Sequence, residues 1–368
     1  MVSAEVRMQF AERGVQLIPP AAGRQKYDEE LRFGRHGQVE VIIGDGPWQV
    51  FEDRATSAQM ADALPLLDGN SLRTSSDGTV ELIRKLDPAL DRYLDDHRLD
   101  GNPVFPAAMA AELMVEVVQR GWPKWEVVGI KSLRVLRGIV LDKGSRELHI
   151  VARPQTNPSS QGSNLEINVE IDDLDQLGHP CYRASVQLAE RLPEPPPYEL
   201  GVLSELRPFP MTAEESYRRW LFHGPCFQGI SMIEGINEHG IAAVLLPFPP
   251  AKCLSQETRG EWLIDPVLLD CGFQLAILWE RAQHDMTPLP ARFASYRRFA
   301  SPSSSPVRCY LQAQSNGGGR ELITNICFLD ADSRMVGLLE GMEFSCSAAL
   351  NRLAESAIHI EERQHGLA

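Results

Sequence analysis

Two stretches of the chain place apolar residues on every face that a helix would present. The first is an Ala- and Met-rich run that follows Pro106 and continues through Gln119, and the second extends from Asp265 to about Gln283. A helix without a continuous polar stripe must be buried on nearly all sides. Around each run lie segments with the period-two alternation of half-buried strands. They are Thr79–Ile83, Glu126–Ile130, Leu133–Leu141, Glu147–Ala152, Leu165–Ile171 and Cys181–Leu188 around the first. Around the second they are Ile230–Ile236, Ile241–Leu246, Val307–Ala313, Leu322–Leu329 and Met335–Phe344, with a short helix at Ala213–Phe222. A curved antiparallel sheet wrapped around one helix is the simplest way to cover such a helix. The pattern therefore predicts an α+β chain with a double hot-dog architecture: two antiparallel sheets, each wrapped around one long apolar helix.

Breaks in the pattern predict the organisation. A Pro-rich connector beginning at Pro193 separates an N-terminal unit over 63–192 from a C-terminal unit over 211–348, with the linker spanning 193–210 and a tail over 349–368. Residues 1–50 hold two short helical patterns (Val6–Arg13 and Tyr27–Phe33) and one strand pattern (Val39–Ile43). That is too little to bury a core. The segment reads as the tail of an upstream α/β domain, joined by a linker over 51–62.

Composition narrows the class. Hydrophobic residues make up 43% of the 368 and charged residues 23%, ample for a globular core. A formal net charge of −14 argues against nucleic acid as a partner, because phosphate contacts need a basic footprint. An apolar run long enough to span a membrane is missing, as is a signal-peptide pattern. The seven cysteines show no C-x-x-C spacing and read as reduced thiols of a cytoplasmic protein. Two arginine-rich clusters, Arg292 with Arg297 and Arg298, and Lys131 with Arg134 and Arg137, are candidate docking points for an acidic partner.

The candidate chemistry sits at the starts of the two apolar helices. His97 precedes a tight turn at Gly101, and Pro106 falls near the first helical position, with Gly121 as a plausible C-terminal stop. A neutral imidazole beside the free N–H groups of a helix start is suited to taking a proton from the carbon alpha to a thioester or ester carbonyl. Asp265-Pro266 reads as an N-cap followed by Pro at N1. Asp270 lies beyond it, with Gln274 four residues on and on the same face. Burial of Asp270 raises its pKa and favours the acid form, which a proton donor requires. Leu221-Phe222-His223-Gly224-Pro225-Cys226-Phe227-Gln228-Gly229 is a turn entering a strand and a candidate pocket lining. Glu112 and Glu116 are one turn apart, but no histidine accompanies them, and no metal site is expected there or elsewhere. No nucleotide-binding glycine motif is present.

Three of these segments together resemble the dehydratase domains of type I polyketide synthases and their polyunsaturated fatty acid and enediyne-type relatives. His97-x-x-x-Gly101-x-x-x-x-Pro106 is similar to the family's H-x-x-x-G-x-x-x-x-P motif, Asp270-x-x-x-Gln274 to its D-x-x-x-Q/H motif, and His223 to Gly229 to its Y-G-P-x-F-Q-G segment. Residues 14–48 resemble the end of the ketoreductase domain that precedes such a dehydratase. The resemblance implies that His97 abstracts the alpha proton of a 3-hydroxyacyl thioester and that Asp270, held by Gln274, protonates the departing hydroxyl. It also implies that Gly101, Pro106, His223, Gly224, Pro225 and Phe227 shape the substrate site. The substrate would arrive on the phosphopantetheine of an acyl carrier protein, with Arg292, Arg297 and Arg298 as a docking site. No cofactor or metal would be needed, and other domains of the same synthase and a second copy of the chain would be partners. His223 departs from the family, which has tyrosine there. A double-bond isomerase, a dehydratase-cyclase, and a catalytically idle scaffolding or dimerisation domain remain as alternatives.

Overall fold

The computed structural model describes residues 20–33, 64–67, 72–142, 144–155, 164–199, 201–255, 258–302, 304–315 and 320–354. The chain divides into two compact units after Asp62. Of the first unit, one helix is described, α1 (Pro20–Phe33). It starts at the second residue of the Pro19-Pro20 break, where a missing N–H leaves nothing unsatisfied. The helix and strand patterns at Val6–Arg13 and Val39–Ile43 lie outside the described residues.

In the second unit both apolar runs are helices in the core. α2 (Ala107–Gly121) is buried from Ala108 to Val118, including Glu112 and Glu116. The residues Val115, Val117 and Val118 each disfavour a helix by about 0.5 kcal/mol. Burial of each such side chain contributes about 1.5–3 kcal/mol, so packing decides the conformation. α2 begins with Pro106 as its N-cap, one position earlier than expected for that proline. Gly121 ends the helix without a left-handed turn. A Cβ there would lie 3.1 Å from Val80 Cγ2, so the glycine serves close packing. Further helices are α3 (Ala213–Arg219), closed by a Thr212/Glu215 capping box, and α4 (Pro266–His284), buried from Pro266 to Glu280, with a single helical turn at Pro250–Cys253 between them. Among the described residues, no helix is long and apolar enough to cross a membrane.

The strands before α2 are β1 (Arg73–Thr74) and β2 (Val80–Leu86), then the hairpin β3 (Arg98–Leu99) and β4 (Asn102–Pro103). After α2 come β5 (Glu126–Val135), β6 (Arg146–Pro154), β7 (Asn164–Asp173) and β8 (Tyr182–Ala189). β9 (Ile230–Asn237) and β10 (Gly240–Leu245) precede α4. β11 (Thr287–Arg298), β12 (Val307–Ser315), β13 (Glu321–Leu329) and β14 (Met335–Ser347) follow it. The order across the sheet is β1-β2-β6-β7-β8-β5-β11-β14-β13-β12-β10-β9. Each half thus repeats one topology: two strands, a helix and four more strands, with the strand after the helix ending at the middle. The two expected sheets are the halves of one twelve-stranded sheet, joined where β5 pairs antiparallel with β11 from Arg292↔Arg134 to Arg297↔Gly129.

Two strand expectations need correction. The region Leu133–Leu141 is not one strand: β5 runs on to Val135 across a bulge between Lys131 and Arg134, and Val140 makes only an isolated bridge to Val104. Conversely, β11 carries Pro288 and Pro290 and has no strand-like alternation at its start. The prolines are tolerated because β11 has only β14 beside it there, and its pairing with β5 begins at Arg292.

Buried acids tie these parts together. Glu112 of α2 accepts the Leu263 N–H at 2.6 Å and the Ile264 N–H at 2.9 Å, which anchors the lead-in to α4. Glu116, one turn on, accepts the Leu66 N–H at 2.8 Å, and Arg84 donates to the Leu66 carbonyl while it pairs with Asp91. Burial pushes the Glu112 carboxyl up to about 7 and, with the Glu112 charge added, pushes Glu116 well above its ordinary range. Glu116 Oε1 meets no fixed donor, as suits a carboxylic acid sharing its proton with Glu112. Because the folded value exceeds the ordinary 4.5, this stabilisation is complete below 4.5 and is lost as pH rises through the folded value. Glu116→Gln keeps an acceptor for Leu66 and a donor for Glu112 without the titration. Its thermal midpoint, followed from about pH 5 to about pH 9, is expected to fall less with rising pH than that of the wild type. Parallel curves would remove the shared-proton account.

Candidate active site

The site is assembled from both halves. In the first, a 3-10 turn (Arg92–Leu94) leads to Asp96 and His97, and the β3–β4 hairpin turns at Asp100 and Gly101, whose φ values are +50° and +82°. Both positions need left-handed backbone, which glycine adopts without strain. The hairpin brings Val104 back to its own histidine. The Val104 N–H donates to the His97 carbonyl at 2.9 Å, and the His97 ring nitrogen Nδ1 lies 2.8 Å from the Val104 carbonyl. A carbonyl only accepts, so Nδ1 carries the proton and Nε2 is the free base.

The second half supplies Phe222 to Gly229. His223 forms an isolated antiparallel bridge with His97. Asp96 holds this crossing: its carbonyl accepts from Gly224 N and its Oδ2 from Cys226 N, each at 2.8 Å. Gly224 approaches so closely that an added Cβ would lie 2.3 Å from Asp96 Oδ1 and 2.9 Å from Asp96 Cα. Phe222 stacks on His223 at 4.0 Å, and the Phe227 ring stands edge-on to His97 at 5.7 Å. Pro225 opens the 3-10 turn that carries Phe227.

α4 brings the acid. Its N-cap is Asp265, whose side chain accepts from Val267 N and Leu268 N, and Pro266 follows at N1 as expected. Asp270 is 3% exposed. Gln274 Nε2 donates to Asp270 Oδ2 and to the Phe227 carbonyl, each at 2.9 Å. Gln274 Oε1 accepts from the Tyr217 hydroxyl at 2.9 Å, and that hydroxyl accepts from Ile230 N. His223 Nε2 stands 3.3 Å from Asp270 Oδ2. One ring nitrogen of each histidine and one carboxylate oxygen of Asp270 all lie within 4.8 Å of one another. Two imidazoles and a carboxylate at this spacing are also the group among the described residues that could hold a metal ion.

Dryness sets the protonation states. Burial lowers His97 to about 4, against the opposing bond to Val104. Burial lifts Asp270 to about 7, against the opposing bond from Gln274. His223 is held well below the usual histidine range by burial and then by His97. The cluster therefore pairs a neutral base with a carboxyl that retains its proton toward neutrality, the combination general acid–base chemistry uses. Cys226 and Cys271 are pushed up, so neither is an activated nucleophile.

His97, His223, Asp270 and Gln274 come together with Gly224, Pro225 and Phe227 around them. Gly101 and Pro106 shape the hairpin and the start of α2, and a Cβ at Gly101 would touch nothing. The arginine cluster changes character. Arg292 pairs with Glu343 at 2.7 Å and Arg297 with Glu340 at 3.2 Å. Arg298 is buried and donates to the Val127 carbonyl at 3.1 Å, so it braces β11 against β5 and cannot present a charge to a partner. Sequence reasoning missed Asp96 and Tyr217. The capping box Thr212-x-x-Glu215 locates the Tyr217 helix, but nothing local signals that its hydroxyl reaches Gln274.

A double hot-dog with a histidine from one half and an aspartic acid from the other defines an acid–base catalyst acting between the two. Residues 65–170 match the family model described as polyketide synthase dehydratase domain, and residues 205–354 match that described as polyketide synthase dehydratase N-terminal domain. The chain belongs to the polyketide synthase dehydratase family, whose activity is that of a hydro-lyase. It is 24% identical over 326 residues to a polyunsaturated fatty acid synthase polypeptide of Thraustochytrium sp., covering 86% of this chain and 10% of that protein. The chain thus spans about a tenth of that relative's length. Among solved structures it is similar to the dehydratase domain from the CurF module of curacin polyketide synthase, with a TM-score of 0.61 and 17% identity over 77% of this chain and 100% of that one. A second is the dehydratase domain of a mycocerosic acid synthase-like synthase, with a TM-score of 0.59 and 19% identity over 77% and 96% of the two chains.

Gly224→Ala tests the crossing. The methyl group would push against the backbone of Asp96, separating His97 from His223. Turnover of a 3-hydroxyacyl thioester is expected to fall about a hundredfold, as for misplacement of reacting groups by about 1 Å. Circular dichroism should still show a folded chain, because overpacking costs about 1–3 kcal/mol. Wild-type turnover in this variant would mean that the crossing does not set the site.

Proposed function

We propose that the chain removes water from a 3-hydroxyacyl thioester carried on the phosphopantetheine arm of an acyl carrier protein, giving the 2-enoyl thioester. The observation that carries this reading is the inverted pair: His97 is neutral down to about 4 and Asp270 keeps its proton up to about 7 within one buried cluster. His97 Nε2 takes the proton from the alpha carbon, and the electrons of that C–H bond form the double bond. The C–O bond at the beta carbon breaks, and Asp270 passes its proton to the leaving oxygen. One water departs, and no electron acceptor is involved. Gln274 holds Asp270, and the chain's own residues supply every proton the step needs. The seven free thiols support a cytoplasmic setting, and the relatives' multidomain context supports work beside other domains of one synthase.

The test is mass spectrometry of a 3-hydroxyacyl pantetheine thioester for loss of one water, run also in the hydration direction. His97→Ala and Asp270→Asn are each expected to lower the rate by about a hundredfold to ten-thousandfold. Activity should decline as pH rises through about 7, where Asp270 gives up its proton, and as pH drops through about 4, where His97 gains one. Movement of a double bond or ring closure without net water loss would assign the isomerase or cyclase reading instead. If neither direction proceeds at several chain lengths, the domain is a scaffold.

A further inference from the structure

We propose that His223 is a positioning residue for the acid: its Nε2–H donates to Asp270 Oδ2, which already accepts from Gln274, so that the acidic proton is confined to Oδ1. The inference rests on the acid role of Asp270 and concerns which of its two oxygens delivers the proton.

Gln274 cannot be turned the other way round. Its Oε1 accepts from Tyr217, and its two Nε2 hydrogens serve the Phe227 carbonyl and Asp270 Oδ2. Oδ2 therefore faces a fixed donor. His223 Nε2 is 3.3 Å from the same oxygen, and the ring is held there by the stack on Phe222 and the backbone bridge to His97. Its other nitrogen, Nδ1, is buried without a partner. With the ring neutral, one nitrogen carries hydrogen. Hydrogen on Nδ1 would be an orphaned buried donor, which folded proteins avoid more strictly than an unfilled acceptor. Hydrogen on Nε2 meets an acceptor. Two donors converge on Oδ2, leaving no room for a proton there, and Oδ1 has to carry it.

Like Asp270, Asp265 at the N-cap of α4 and Glu112 of α2 are pushed up to about 7. Both are bonded to backbone N–H groups and are the same in every variant, whereas the groups beside Asp270 titrate away from neutrality. His97 and His223 face it from the two crossing segments and are both lowered. Tyr217 of α3 and Cys271 of α4 are both pushed up. The Asp96 carboxylate lies across the crossing and is bonded to Cys226 N. A donor on Oδ2 favours the ionised form of Asp270, so removing it should raise the pH at which the acid is lost. The tyrosine that the family carries at position 223 can donate through its hydroxyl, and so can an amide.

The experiment compares the pH dependence of kcat for the wild-type chain and for His223→Phe, His223→Gln and His223→Tyr, with a 3-hydroxyacyl pantetheine thioester. In His223→Phe we expect kcat to fall about tenfold and the alkaline limb to move up by about one pH unit. His223→Gln should return the limb to within about half a unit of the wild type, and His223→Tyr should follow it. An unmoved limb in His223→Phe overturns the proposal, as does a His223→Gln profile identical to that of Phe, which would mean a packing role. A second readout needs no turnover: the side-chain carboxyl of Asp270, labelled with carbon-13 and identified by its absence in Asp270→Asn, is titrated in the wild type and in His223→Phe. An upward shift in Phe supports the proposal and an equal value refutes it, even if the wild type shows no dehydration, an outcome that would remove the proposed reaction alone.

Discussion

Burying two helices on every side is the constraint from which the rest of the structure follows. Neither α2 nor α4 has a face that water tolerates, so each is wrapped by one half of the sheet, and any carboxyl on them enters a dry interior. Glu112, Glu116, Asp265 and Asp270 are all raised by burial before anything else acts on them. What separates them is how each is satisfied. Glu112 takes two backbone N–H groups, Glu116 takes one and Asp265 takes two. The bond described for Asp270 comes from a side chain, Gln274, with His223 beside it. Backbone donors belong to the fold and hold a structural acid in place. Side chains can be arranged around an acid that has to release its proton.

The seam between β5 and β11 extends the same logic to the site. His97 belongs to the first half and His223 and Asp270 to the second, so neither half alone has both a base and an acid. Their spacing is set by backbone: the His97–His223 bridge, the two bonds that Asp96 makes across it, and the Glu112 clamp on the residues just before α4. Fixing reacting groups through main-chain contacts limits the freedom that long side chains would otherwise bring.

Much of this was legible in the residues. The two apolar runs, the Asp265-Pro266 helix start and the Asp270/Gln274 face all read correctly, because each rests on local spacing. The features that were not legible depend on partners distant in sequence. Prolines concealed β11 because a sequence does not show that one side of a strand is unpaired. Arg298 looked like surface charge because its carbonyl partner, Val127, is 171 residues away. Asp96 and Tyr217 carry no pattern of their own, and Gly121 resembled a helix stop when its purpose is contact with Val80.

Dryness is also what gives the site its chemistry. Outside the fold, His97 and Asp270 would titrate at their ordinary 6.5 and 3.8, and near neutrality the aspartate would be ionised and have no proton to give. Inside, the values move to about 4 and about 7, and the order is reversed. The same desolvation produces both shifts, so water entering the cluster returns both groups toward their ordinary states together. Phe222 and Phe227 pack against the imidazoles and help keep the cluster dry, although neither ring exchanges a proton. On the proposed function, the acyl chain of the substrate would replace water at the moment the acid and base are needed.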